Sequence, residues 1–118
     1  MSWRARDTTV RARTELFREA IAAMEQRFAD DIQLDDIARE IATSRRQLQR
    51  VFEEVGHTTF RAQLTQIRMV RAAEMLDSPL PIRDIAHRCG YRQPAQFAKA
   101  FRRVHGMTPS AYRDRDGR

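Results

Sequence analysis

The chain has 118 residues, a formal net charge of +6, 42% hydrophobic and 32% charged residues, enough apolar content for one compact domain or two small lobes. Its longest apolar run, Ala20 to Met24, is far too short to span a bilayer, and no charged-then-apolar leader follows Met1. Cys89 is the single cysteine, which excludes an internal disulfide and fits a reducing cytoplasm. Charge is unevenly spread: residues 1–42 hold seven arginines against nine acids, whereas residues 43–118 hold fourteen arginines and Lys99 against seven acids. A positive second part suggests a surface that meets a polyanion.

Helical periodicity runs through the whole chain and no strand pattern appears, so the expected class is all-α with about seven helices. The first helix is expected from about Thr9 to Phe28, where Val10, Phe17, Ile21, Met24 and Phe28 form an apolar stripe widened by Leu16, Ala20 and Ala23. A short second helix, Leu34 to Ile41, carries Asp35 and Asp36 in its first turn, where the helix dipole favours anions. Ser44 and Gln47 have the spacing of a capping box, which starts a third helix at Arg45 and ends it near Val55-Gly56. A fourth, from Phe60 to Leu76 with Thr59 as its cap, is apolar around much of its circumference and is expected to be a buried strut. Ser78-Pro79-Leu80-Pro81 breaks the chain. Short helices over Ile82–Arg88 and from Pro109 through Tyr112 then flank a longer one, Pro94 to Val104, with Pro94 at its first position. The implied division is an N-terminal arm (1–8), a first lobe (9–56), a linker helix (57–78), a second lobe (79–113) and a flexible tail (114–118).

The two lobes repeat one another. Asp36-Ile37-Ala38 matches Asp84-Ile85-Ala86 at an offset of 48, Leu48 and Phe52 match Phe97 and Phe101 at 49, and Gly56-His57-Thr58 matches Gly106-Met107-Thr108 at 50. The shifts imply one residue added in the second turn and one after the second long helix. Each unit reads as a helix-turn-helix, with a small residue (Ala38, Ala86) where two helices cross. Arg45, Arg46, Gln49 and Arg50 share the helix face opposite Leu48 and Phe52, and arginine and glutamine can pair with guanine and adenine edges in a major groove. Only Arg50-Glu54 and Gln49-Glu53 fall at a spacing that would neutralise this face within the helix, so it is read as facing double-stranded DNA. The matching face of the second unit carries Ala95, Gln96, Ala98 and Lys99, with Arg92, Arg102 and Arg103 around it, which suits phosphates better than bases. Ser44, Thr59 and Arg61 are assigned to phosphates as well.

Ile82-x-Asp84-Ile85-Ala86-x-x-Cys89-Gly90-Tyr91, then Phe97, Phe101-Arg102, Gly106, Thr108-Pro109-Ser110 and Tyr112-Arg113, resembles the second motif of the DNA-binding domain of AraC/XylS-family transcription regulators. Ile37-Ala38, Ser44, Leu48, Gln49, Arg50 and Phe52 match the first motif, and the resemblance covers about residues 10–113. It implies two helix-turn-helix subdomains joined by a long central helix, entering successive major grooves about 34 Å apart. It places base reading on Arg46, Gln49 and Arg50 and on Ala95, Gln96 and Lys99. By likeness to short stand-alone members it further implies a monomeric activator in the bacterial nucleoid, with RNA polymerase as partner and no small-molecule effector domain. The chain departs from the family pattern in three ways. Ala42 stands where the first turn usually has glycine, Gln93 replaces a serine or threonine cap, and Ala95 and Ala98 replace polar readers.

A rival reading keeps the fold but makes the protein an anti-activator that binds another protein through its long first helix and Trp3. Nothing suggests an enzyme, a cofactor or a membrane partner. His57, His87 and His105 lack an acid partner, no nucleophile motif surrounds Cys89, and His87-x-Cys89 lacks the spacing of a structural zinc site.

Overall fold

The computed structural model describes residues 2–115, with side chains from Thr9 onward. Among the described residues there are seven helices and no strand: α1 (Ser2–Arg27), α2 (Leu34–Glu40), α3 (Arg45–Glu54), α4 (Phe60–Met75), α5 (Ile82–Arg88), α6 (Pro94–His105) and α7 (Pro109–Asp114). The chain divides into two compact units, one of residues up to Arg27 with Ile32–Gln63, the other of Phe28–Asp31 with the chain from Leu64 on.

The largest departure from the expected elements is α1, which begins at Ser2 instead of near Thr9. No proline or glycine interrupts residues 2–8, so nothing stops the helix there, and the apolar stripe that marks it in the sequence starts only later. Val10, expected on that stripe, is 55% exposed, because the buried positions of α1 start at Ala20. The Trp3 side chain and the tail residues 116–118 lie outside the described residues.

In the first unit α1 packs on both α2 and α3. Ala20, Met24, Ile37, Ala38, Leu48, Val51 and Phe52 are buried. The Phe52 ring meets the edges of Phe17 and Phe60 at centroid distances of 5.4 and 6.0 Å. Burial of such a ring contributes about 1.5–3 kcal/mol, and each edge-to-face pair roughly 0.5–1.5 kcal/mol more.

The second unit has its own core of Met69, Ala72 and Leu76 from α4 with Ile85, Ala86, Cys89, Phe97, Ala100 and Phe101. Burial pushes the Cys89 thiol up to about 11, with the Arg68 guanidinium pulling back in the other direction. Two arginines staple this unit by bonding carbonyls that no helix satisfies. Arg68 donates from Nε to Phe28 O (2.8 Å) and from Nη2 to Asp30 O (3.0 Å). Arg113 donates to Leu76 O, Ser78 O and Leu80 O, in the segment that Pro79 and Pro81 keep out of a helix. His105 also finds a partner, with Nε2 3.0 Å from Met69 O.

The repeat is visible in the backbone. After α2, Thr43 N bonds Ala38 O (2.8 Å) and Ala42 N bonds Arg39 O (3.2 Å); after α5, Tyr91 N bonds Ala86 O and Gly90 N bonds His87 O, both at 3.0 Å. Both are Schellman turns, whose pivot residue must be left-handed. Gly90 has φ +89°, and Ala42 takes the same role with φ +59°. One inferred shift needs correction. His57 (φ +52°) corresponds to Gly106 (φ +80°), and the caps Thr59 and Thr108 correspond too, so the offset stays at 49 and no residue is added after α6. Gly56 aligned with Gly106 in the sequence because both are glycines, yet Gly56 is not left-handed. A Cβ there would lie 2.5 Å from Phe17 Cε1, so this glycine serves a close approach, and His57 carries the left-handed turn.

Candidate nucleic-acid interface

The exposed face of α3 is built by its cap and its core side together. Ser44 Oγ accepts from Gln47 N at 3.0 Å, which sets the first turn. The expected capping box is only half formed, because the Gln47 side chain accepts from Thr43 Oγ1 at 2.7 Å instead of reaching back to residue 44. With Leu48, Val51 and Phe52 buried, Arg45, Arg46, Gln49 and Arg50 are exposed, as the helical period requires.

Two clefts flank this crest within the first unit. One, of about 290 Å³, is lined by Arg13, Ser44, Arg46, Gln47 and Arg50. The other, of about 240 Å³, brings Arg45 and Gln49 together with Thr59 and Arg61 at the start of α4, where Thr59 Oγ1 accepts from Ala62 N at 3.1 Å. The free amides of a helix start and an arginine beside them form a surface suited to a phosphate.

The face is less unpaired than its i+4 spacing suggests. Arg45 Nη1 lies 2.9 Å from Asp35 Oδ1, and Arg50 Nε lies 3.7 Å from Glu54 Oε1. Arg13 bonds Glu54 from α1. Spacing within one helix cannot reveal Asp35–Arg45 or Arg13–Glu54, which join different helices and are 10 and 41 residues apart. Among the described residues, Arg46 and Gln49 have neither ion pair nor side-chain hydrogen bond.

In the second unit Ala95, Gln96 and Lys99 are exposed on α6, opposite buried Phe97, Ala100 and Phe101. Ala98, expected on the same face, is partly buried. Gln93 makes no side-chain cap bond, and Pro94 supplies the preset first turn in its place. Arg92, Arg102 and Arg103 are exposed, and none of them, nor Lys99, pairs with an acid among the described residues. No group of three or more metal-ligating side chains gathers among the described residues; His87 is exposed while Cys89 is buried. No described helix is long and apolar enough to cross a membrane.

Two helix-turn-helix units, each with a cationic, solvent-facing second helix, define a DNA-binding regulator rather than an enzyme. A family profile described as a helix-turn-helix domain matches residues 37–115. The regulatory protein SoxS of Escherichia coli (strain K12) is 33% identical over 102 residues, 86% of this chain and 95% of that protein. The transcriptional activator RhaS of Escherichia coli O139:H28 is 32% identical over 99 residues, 82% of this chain and 36% of that one. Among solved structures, an AraC-type regulator from Chromobacterium violaceum superposes with a TM-score of 0.83 at 28% identity, covering 88% of this chain and 95% of that one. The DNA-binding domain of AdpA, solved with a target DNA, gives 0.76 at 27% identity, covering 83% and 89%. The chain belongs to the AraC/XylS family of helix-turn-helix transcriptional regulators. It spans only about a quarter to a third of the length of several other curated relatives it matches.

Proposed function

We propose that the protein is a monomeric transcriptional activator that inserts α3 and α6 into successive major grooves of one asymmetric site and contacts RNA polymerase there, in the bacterial nucleoid. In this reading the two units are the two DNA-binding subdomains. The observation that carries it is the exposed crest of α3, where Arg46 and Gln49 have no side-chain partner among the described residues and stand between two clefts rich in arginine. Arg45, Arg46, Gln49 and Arg50 are the base readers, with Ser44, Thr59 and Arg61 on the flanking phosphates. On α6, Ala95, Gln96 and Lys99 face the second groove, and Arg92, Arg102 and Arg103 anchor to phosphates. Alanine can touch a thymine methyl but offers no hydrogen-bond code, so α6 contributes position more than sequence. Activation and contact with the polymerase rest on family resemblance and on RhaS being named an activator.

A salt titration with two variants tests this. Wild type should bind duplex DNA with a steep log–log dependence on salt. Arg46→Ala should cost about 1–3 kcal/mol on a matched site and little on random sequence, whereas Arg103→Ala should weaken both about equally. Equal losses for the two variants on both duplexes would overturn the division of labour. No duplex binding at low salt would favour the protein-binding alternative.

A further inference from the structure

Glu54 closes α3 and holds two arginines at once. One carboxylate oxygen takes Arg13 of α1, and the other lies 3.7 Å from Arg50 Nε. On the opposite flank, Asp35 of α2 holds Arg45 at 2.9 Å. The outer arginines of the crest are therefore each engaged by an acid of the same unit, while Arg46 between them pairs with none among the described residues.

We propose that Glu54 and Asp35 are specificity-determining residues: internal counter-ions that DNA must displace before Arg13, Arg50 and Arg45 can contact it. The inference rests on α3 being the base-reading helix. These side chains are between 37% and 61% exposed, and ion pairs so open to water are weak and salt-screened, so a nucleic acid can compete for the arginines. A matched site offers a guanine edge that repays the broken pair with a bidentate bond. Random sequence offers phosphates alone, against the repulsion of the two carboxylates. The acids therefore lower affinity for random DNA more than for a matched site, a penalty placed against the wrong partner. The same geometry makes Arg13 a phosphate contact contributed by α1, released together with Arg50.

The test measures binding of wild type, Glu54→Gln, Asp35→Asn and the double variant Glu54→Gln/Arg13→Ala across a salt series. The probes are a duplex selected by the wild type from a random pool and a duplex of random sequence. Glu54→Gln should tighten binding to the random duplex and steepen its log–log salt slope by about 0.9 for one released arginine or about 1.8 for two. Between 50 and 200 mM salt that is roughly a 3.5-fold or 12-fold larger loss of affinity. The ratio of selected to random affinity should fall, and Arg13→Ala in the Glu54→Gln background should remove about half of the slope gain. Asp35→Asn should act in the same direction through Arg45, which gives an independent reading if Glu54→Gln disturbs folding. Unchanged slopes and ratios in both single variants would overturn the proposal, as would an equal gain on both duplexes. A selection that enriches no duplex, with no wild-type binding to random sequence at low salt, would instead overturn the proposed function.

Discussion

Ala42 and Gly90 occupy the same position in two copies of one turn, so they form a natural pair for measuring the strain of a left-handed residue. At φ +59° the Cβ of Ala42 crowds the following carbonyl, which costs an L-residue roughly 1–2 kcal/mol. Glycine removes that strain but gives the unfolded chain extra freedom worth about 0.4–1 kcal/mol. Ala42→Gly should therefore stabilise the protein by about 0.5–1 kcal/mol, or raise Tm by about 2–4 °C for a chain of this size. Gly90→Ala runs the other way and meets a second obstacle. Its φ is +89°, and the new Cβ would stand 2.8 Å from Arg68 Nη2. Moving that guanidinium loosens its bonds to Phe28 O and Asp30 O, hydrogen bonds of a charged donor worth roughly 1.5–3 kcal/mol. Strain and loosened bonds together give an expected loss of about 2–4 kcal/mol. Urea unfolding at constant m-value measures both changes. A destabilised Ala42→Gly, or a Gly90→Ala that costs nothing, would refute the claim that this turn position strains any residue other than glycine.

Gly56→Ala should cost about 1–3 kcal/mol despite an ordinary φ, because the new methyl overlaps the Phe17 ring; a neutral result in a thermal melt would remove close approach as the reason for glycine. Gln93→Ser should stabilise the start of α6 by about 0.5–1 kcal/mol and Ser44→Ala should destabilise α3 by about 1 kcal/mol, both read as shifts in urea midpoint. The Cys89 thiol should resist alkylation at pH 8. Its folded value, raised from 9.0 to about 11, means that the unfolded state loses its proton first, so stability falls as pH rises from about 9 to 11. A Cys89→Ala variant should lack that increment of pH dependence, and an equal loss in both proteins would contradict it.

Most of the fold was legible because helix period, caps and the repeat agree. Ser44, Thr59, Pro94 and Thr108 mark helix starts where the structure has them, and the buried faces of α3 and α6 are those the spacing selects. The misses have physical causes. The start of α1 carries no apolar periodicity and no breaker, so pattern reading had nothing to detect before Thr9. Gly56 and Gly106 look alike as letters but answer to different constraints, one to the Phe17 ring and one to a left-handed backbone. The exposure of Arg46, Gln49 and Lys99 follows from period alone. The pairing of Arg45 with Asp35 and of Arg13 with Glu54 does not, because it depends on how separate helices pack. The arginine staples Arg68 and Arg113 were hidden for the same reason, since each bonds carbonyls more than thirty residues away.

In the proposed function α3 supplies most of the sequence discrimination while α6 chiefly anchors. Selection of bound duplexes from a random pool by the wild-type protein tests this most directly. The recovered sites should show one strongly constrained half-site, a weaker one about one helical turn away, and loss of constraint only in the strong half when the selection is repeated with Arg46→Ala. Two equally constrained half-sites, or a recovered motif that Arg46→Ala leaves unchanged, would contradict it.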